Sequence, residues 1–476
     1  MALPSASSAL SRRPLESAPT LELSVRRSRL RRRMRAADLL IVACSTSVAL
    51  AVALYLASGG AAQVVDGPSA LNAVGIVAGL VGTDLILVML VLAARVPLID
   101  RTVGQDVAIR FHRRLGKPAL YLILGHLLFL SVGWALQDGH TLVDETVVLF
   151  TTPDMAIAYL GLGLLVVVVV SSIVIVRRRL PYEAWHAIHL LTYVAVLVAV
   201  PHQLSVGGVL AEGSAERVYW IALYVLAFGA VAWFRFAVPI ALTLRHRMRV
   251  SSVETVAPGV ISLHFTGRSL DRLRARGGQY AIWRFWSAGT WWHAHPISFS
   301  AVPTATTARI TVRALGAGSA RLAALRPGTR VSIEGPYGIF TDVARTASRL
   351  AIVAAGIGVT PARALLENQR LRPGETTVVL RGADDTAHYL WTEIVELTRS
   401  NGGAVYSMIG PRPHGQDSWM SGADLQRGVT ITSVFPHLLE SDLFVCGPAV
   451  WSDAVIRDAR AVGLPEEQIH IERFDW

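Results

Sequence analysis

Six apolar segments fill the first half of the chain, roughly 37–58, 71–94, 107–136, 155–176, 184–206 and 217–243. Nothing else in the sequence restricts the fold as strongly. Each is close to the ~20 residues that carry a helix across ~30 Å of hydrocarbon. A bilayer core offers backbone N–H and C=O groups no partner, so spanning segments form helices or closed barrels. Runs of this length predict a six-helix transmembrane bundle. The connections sort by charge. Residues 95–117 carry Arg95, Arg101, Arg110, Arg113, Arg114 and Lys117, and Arg177, Arg178 and Arg179 follow the fourth run. The alternate connections, 59–70, 137–154 and 207–216, hold Asp66, Asp138, Asp144, Glu145, Asp154 and Glu212 and no Lys or Arg. The positive-inside rule then places both termini in the cytoplasm of a multi-pass plasma-membrane protein whose solvent is membrane lipid.

A composition of 52% apolar and 17% charged residues agrees with this. The net charge of +11 would suit a nucleic-acid partner, but the arginines argue against one. Arg26, Arg27, Arg29, Arg31, Arg32, Arg33 and Arg35 sit beside the first apolar run, not on a soluble face. Two cysteines, Cys44 and Cys446, are too far apart in the layout for a disulfide and too few for an iron–sulfur cluster. Arg12-Arg13 is not closely followed by an apolar segment, so residues 1–36 read as a disordered basic cytoplasmic tail, a cleaved signal peptide being the alternative. The six-span domain occupies 37–244.

Beyond Arg249 the texture changes. In 245–345, short alternating stretches such as 260–265 and 308–312 between Gly and Pro turns predict a small antiparallel barrel. In 346–476, buried strands at 349–355, 376–380 and 442–446 precede helical patterns, which predicts a parallel α/β sheet.

Histidine is expensive inside a bilayer, yet the third run offers His112 and His126 and the fifth His186, His189 and His202. Fourteen residues bring His112 and His126 within ~40° of one helix face, ~21 Å apart. His189 and His202 match that height at ~20 Å, but an ideal helix sets them ~220° apart in rotation. Pro201 is the device that can re-phase this helix. His186 is the competitor to His189, and an interfacial cap is the alternative role for any single ring. Two facing helices with such pairs can hold two haems, one histidine from each helix on each iron. Pro118 falls inside the third run and removes one backbone bond there.

The strings His112-Arg113-Arg114-Leu115-Gly116 to His126, and Trp185 to His189, Tyr193 and His202-Gln203, resemble the haem-binding helices of the ferric reductase and NADPH oxidase superfamily. That resemblance implies His112 and His189 on an inner haem b, and His126 and His202 on an outer one. It extends through the soluble half. His295-Pro296-Ile297-Ser298 is similar to the family's flavin signature, with Ile297 where Phe is usual. Gly278-Gln279-Tyr280 and the stretch holding Gly316, Gly318 and Ser319 fall where such domains contact FAD and its diphosphate. Small residues there let backbone N–H groups approach phosphate.

Gly356-Ile357-Gly358-Val359-Thr360-Pro361 follows a buried strand, and a helix starting there would offer its N-terminus to a pyrophosphate. This is the ferredoxin-reductase type of turn, not Gly-x-Gly-x-x-Gly. Cys446-Gly447-Pro448 resembles the family's nicotinamide-side motif, with Cys446 beside hydride transfer or, alternatively, a small buried residue. Trp476 is the candidate for the terminal aromatic that stacks on flavin in this family. Arg381 and Arg412, after the second and third strands, favour NADPH over NADH.

The implied function is NAD(P)H-dependent electron transfer through FAD and two haems to an extracytoplasmic acceptor, either ferric or cupric complexes or O₂ giving superoxide. A membrane electron-supply module for an extracytoplasmic partner protein is the alternative. Asp84, inside the second run, is a candidate proton path or a helix-packing hydrogen bond.

Overall fold

The computed structural model describes residues 18–474 apart from 207, 315, 370, 385, 414 and 416. Residues 1–17 and Trp476 therefore lie outside the described residues, and with them the start of the basic tail and the expected terminal aromatic. Two compact units divide the chain: Arg35–Ala241, and Leu242–Trp476 together with Met1–Met34.

Among the described residues, six helices are long and apolar enough to cross a membrane, Leu23–Ala57, Gly67–Ala93, Gln105–Asp138, Met155–Ser172, Glu183–Ser205 and Ala215–His246; they make up the first unit, and the first and last extend past its bounds. The first span belongs to a continuous helix, Ala18–Ala57. Residues 18–36 are thus helical where a disordered tail was expected. The cause is local: beyond Pro14 and Pro19 that stretch has neither Gly nor Pro, Arg and Leu are good helix formers, and an apolar span supplies the nucleus.

Two of the connections are also helical, at Pro97–Val103 and Leu142–Thr151. The second is capped by Thr141, whose hydroxyl accepts from the Asp144 N–H at 3.2 Å. The third span remains one helix through Pro118. The fifth does break, into Tyr182–Val198 and Val200–Ser205, immediately before Pro201.

Close approach of the second and third spans depends on small residues. A Cβ on Gly75, Gly79 or Gly82 would lie 2.9, 2.4 or 2.9 Å from the side chains of Leu130, His126 or Ile123. Such spacing lets helices pack closely where lipid supplies no hydrophobic drive between them.

In the second unit, β1 (Arg249–Ala257), β2 (Val260–Thr266), β3 (Tyr280–Phe285), β4 (His295–Ala301), β5 (Thr307–Arg313) and β6 (Val331–Tyr337) form an antiparallel sheet in the order β1-β2-β5-β4-β3-β6. Its inward faces bury Phe265, Trp283, Phe285 and Phe299 completely or nearly so. Each such ring contributes roughly 1.5–3 kcal/mol of transfer free energy.

Next, β7 (Arg349–Ala355), β8 (Thr376–Gly382), β9 (Ala404–Ile409), β10 (Ser441–Gly447) and β11 (Ile469–Arg473) form a parallel sheet in the order β11-β10-β7-β8-β9. β7 and β10 lie side by side near its middle, so the turns at their C-terminal ends meet. That is the switch-point crevice where open parallel sheets bind ligands.

Candidate functional site

The membrane unit brings the expected histidines together. The rings of His112 and His189 stand 6.0 Å apart between centroids, at 66°. Two metal–nitrogen bonds of about 2 Å, with the ring radii added, put two imidazoles on one ion at roughly 6.3 Å. His202 lies close enough to His126 for their charges to interact. The helix break explains the pairing that ideal rotation forbids. Pro201 has no N–H for the Leu197 carbonyl, which instead accepts from Ala199, and the last turn is re-phased. His186 packs on Trp185 at 6.3 Å, so the ring next to His112 is that of His189.

The third span's histidines are each locked by the second. His112 Nδ1–H donates to the Met89 carbonyl at 3.1 Å, and His126 Nδ1–H to the Gly75 carbonyl at 2.9 Å. A carbonyl only accepts, so both Nδ1 atoms carry the proton and both Nε2 lone pairs are left for a metal. Met89 and Gly75 are fourteen residues apart, as are His112 and His126, so the two helices match in height. Trp185 stacks on His189 at 5.2 Å and is itself covered by Arg177 at 4.4 Å. His202 Nδ1 is buried and makes no well-formed hydrogen bond among the described residues, with Ala199 beside it.

Sequence reasoning missed the second span's role. Its signal was Gly75-x-x-x-Gly79, a close-packing motif facing a histidine. Asp84 is buried on that same span; its Oδ1 accepts from Ser47 at 2.6 Å while Oδ2 has no hydrogen-bond partner among the described residues.

In the antiparallel sheet, His295, Pro296, Ile297 and Ser298 lie on β4 opposite Trp283, Ile282, Ala281 and Tyr280 of β3. Tyr280 packs on Tyr337 at 5.9 Å. Gly278 has φ +92, and a Cβ there would lie 1.9 Å from the Phe340 carbonyl, so only glycine fits. Gln279 holds the same turn, donating to the Gly338 carbonyl at 3.1 Å. Ser319 bonds back to Gly316, and a Cβ on Gly318 would lie 3.6 Å from His295, which brings this loop to β4. Burial, followed by the charges of His293 and Arg284, pushes the His295 pKa down to about 4, so the ring is neutral. His295 Nε2 and Ser298 Oγ are buried without a hydrogen-bond partner among the described residues. Orphaned polar atoms in a protein interior mark where a bound group supplies the missing bond.

At the parallel sheet the two expected motifs converge. Gly356 (φ +53) turns the chain out of β7, and a Cβ on Gly358 would lie 2.3 Å from the Cys446 carbonyl. Thr360 and Pro361 are buried in the first turn of the helix Val359–Glu367, and Thr360 Oγ1 has no hydrogen-bond partner among the described residues. Gly447 passes Trp451, and Pro448 caps the next helix, Ala449–Ala461.

Two expectations change. The Cys446 side chain is wholly buried in the core with Ala354, Val359 and Phe444, and burial, followed by the charge of Glu472, drives its thiol pKa well up. This is the small-buried-residue alternative; what Cys446 offers the crevice is backbone. Arg381 is buried within β8, donating to the carbonyls of Trp419, Met408, Gly410 and Gly382. It is committed to the fold and not presented to a 2′-phosphate. Arg412 bonds the Ser418 carbonyl at 2.7 Å but keeps 35% of its side chain exposed.

A further missed feature ties the two sheets together. Arg309 of β5 makes a two-pronged bond to Glu393, at 3.0 and 2.8 Å, and Glu393 also accepts from Arg363 on the helix after the Gly356–Gly358 turn. A paired, bidentate geometry of this kind fixes one element against another.

Residues 78–200 match the family described as "Ferric reductase like transmembrane component". The soluble half is 30% identical over 170 residues to ferredoxin–NADP reductase B of Sorangium cellulosum, covering 34% of this chain and 68% of that protein. It is 26% identical over 156 residues to a component of the Na(+)-translocating NADH-quinone reductase of Klebsiella pneumoniae, covering 32% of this chain but only 38% of that component. The FAD/NAD-binding domain of nitric oxide dioxygenase from Vibrio cholerae aligns at 20% identity with a TM-score of 0.40, over 48% of this chain and 98% of that one.

Fold and site together define an NAD(P)H-dependent, membrane-embedded flavoprotein oxidoreductase. The chain's soluble half belongs to the ferredoxin–NADP reductase family, and residues 78–200 match a ferric-reductase-like transmembrane component, a combination of the ferric reductase/NADPH oxidase type.

Proposed function

We propose that the protein carries electrons from cytoplasmic NAD(P)H, through FAD and two b-type haems held in the plasma membrane, to a one-electron acceptor on the far side. One observation carries this reading: two histidine pairs on the third and fifth spans, with His112 and His189 at 6.0 Å and the proton of His112 fixed by Met89. When bound, flavin supplies the conversion of a two-electron hydride into single electrons, and haem accepts them one at a time.

The chain's own residues do the rest. Gly356, Gly358 and Gly447 let backbone approach the nucleotide, and the helix starting at Val359 faces its phosphates with free N–H groups. Ser298 Oγ and neutral His295 complete hydrogen bonds at the flavin edge that the protein itself leaves unmade. Met89 and Gly75 hold His112 and His126 in the ligating tautomer, and Trp185 fixes the His189 ring. A haem held by two of these histidines would keep no open metal site, so it would pass its electron to the acceptor without binding it. The basic connections support a cytoplasmic soluble half with both termini on that side, and the acidic connections support the opposite side for the acceptor.

Sealed proteoliposomes test the direction. With NADPH enclosed beside the soluble half and ferricyanide outside, ferricyanide is reduced; with both reagents outside, vesicles of that orientation do not react. Equal rates in the two arrangements would refute electron transfer across the bilayer.

A further inference from the structure

The last residue of the sixth span is tied to the antiparallel sheet in both directions. His246 Nδ1 lies 2.9 Å from the Arg268 carbonyl, and the Arg268 N–H donates to the His246 carbonyl at 2.8 Å. Leu242 packs on the core of that sheet, and Met248 is buried in it. Three residues past the span, Arg249 pairs with Arg330, whose carbonyl accepts from the Trp286 N–H at 2.9 Å. Trp286 therefore lies two strand spacings, roughly 10 Å, from Arg249.

Trp286 opens the turn between β3 and β4, Trp286-Ser287-Ala288-Gly289-Thr290-Trp291-Trp292-His293. Its three tryptophans, Trp286, Trp291 and Trp292, are 53%, 53% and 44% exposed. Side chains of this size are highly buried on average, and a cluster left in the open marks an interaction surface. The turn is braced: Arg284 donates to the Trp292 carbonyl at 3.3 Å and Arg321 to the Gly289 carbonyl at 3.2 Å. Trp291 and Trp292 meet edge to face at 5.3 Å. Around them, residues 245–249, 284–293 and 326–330 carry Arg245, Arg247, Arg249, Arg284, Arg326 and Arg330 and no Asp or Glu. Exposed Ile240 and Leu244 continue the apolar surface of the sixth span up to the first of these arginines. The change from apolar to basic sets the bilayer surface at this junction.

We propose that the 286–293 turn is a membrane anchor, with its tryptophans in the headgroup layer of the leaflet from which the sixth span emerges and the surrounding arginines on anionic phospholipid. Indole has an apolar body and one polar N–H, which suits it to the membrane–water interface. Arginines near an anionic leaflet add attraction that falls off within a Debye length. Because the turn leads straight into His295, seating it holds β4 beside the bilayer. The proposal depends on the sixth span crossing the membrane and not on the route of the electrons.

The test uses the full chain in nanodiscs of phosphatidylcholine and phosphatidylglycerol. In a Cys44→Ser background the remaining native thiol, Cys446, is buried. Trp291→Cys, Trp292→Cys and, as a control at an exposed position before β11, Glu467→Cys can then each carry one nitroxide label. Oxygen concentrates in lipid, and nickel ethylenediaminediacetate stays in water. The labels on Trp291→Cys and Trp292→Cys should show a several-fold higher ratio of oxygen to nickel collisions than the label on Glu467→Cys, and the ratio should rise with the phosphatidylglycerol fraction. A ratio equal to that of Glu467→Cys at both positions would overturn the anchor. Low collision with both reagents would mean that protein covers the turn, which overturns it equally. A ratio indifferent to phosphatidylglycerol would overturn the part given to the arginines. Each variant leaves two of the three tryptophans in place, so a folding failure in one leaves the other to decide.

Discussion

On the proposed function, the two units solve the same task, holding a redox group, with opposite materials. In the membrane unit the site consists of a few polar side chains in an apolar setting: four histidines, two of them locked by carbonyls of a neighbouring helix at 3.1 and 2.9 Å. The soluble unit builds its site chiefly by leaving side chains out. Gly278, Gly358 and Gly447 sit where a Cβ would collide with backbone or a ring at 1.9, 2.3 and 2.7 Å. Hydrocarbon supplies no hydrogen bonds, so a polar group there is costly. In the soluble crevice the ligand's phosphates are to be met by backbone N–H groups, and close approach of backbone is what glycine provides.

Substitutions can break this contrast, and the largest effect is expected in the membrane. Gly79→Leu would drive a side chain into the His126 ring, whose Nδ1 lies 2.4 Å from a Cβ at that position. The outer haem should be lost and acceptor reduction should fall by ~10³, as far as removing a first-rank catalytic group does. NAD(P)H-dependent flavin reduction should persist; its loss would mean the two units are not separable.

In the soluble unit, Gly358→Ala should cost about 1–3 kcal/mol by overpacking against the Cys446 carbonyl. Flavin reduction by NADPH should slow by ~5–150-fold at the corresponding ~1.4 kcal/mol per decade, while haem content is unchanged. Stopped-flow flavin absorbance reads the first and the haem spectrum the second.

Ser298→Ala removes one buried hydroxyl awaiting a partner. Roughly 1 kcal/mol of flavin binding, a ~5-fold rise in Kd, is the expected loss. Arg412→Ala should raise the KM for NADPH a few-fold and leave NADH unaffected, whereas Arg381→Ala should lower thermal stability with both nucleotides.

Smallest is a pH effect. His295 has a folded pKa of about 4, below the 6.5 of an unrestrained ring. The unfolded chain therefore takes up a proton that the folded one refuses, and stability contributed by the neutral ring is lost as pH falls from about 6.5 towards 4. His295→Gln should flatten that part of the thermal-midpoint profile.

The contrast also explains what could be read from the chain. Spans, strands and the histidine ladder were legible because hydropathy, alternation and a fourteen-residue spacing are properties of the sequence itself. The pairing of His126 with His202 was legible only through the family resemblance and Pro201. Ideal helix geometry separates His189 and His202 in rotation, and only the break before Pro201 reunites them. Arg381 was misread because a strand-end arginine looks the same whether it meets a phosphate or the four carbonyls found here. Cys446 sits where its motif predicted, yet side-chain direction in a buried strand is not encoded by position in a motif. The helix across residues 18–36 was hidden by charge, which argues for solvation but not against helix.

Haem content decides the central claim most directly. Purified wild-type protein should carry two haems per chain and show both reduced by NADPH without oxygen; His112→Ala should carry one, no longer reduced from the flavin side. A wild-type chain with no haem absorbance, or a His112→Ala variant that retains two reducible haems, would contradict the account.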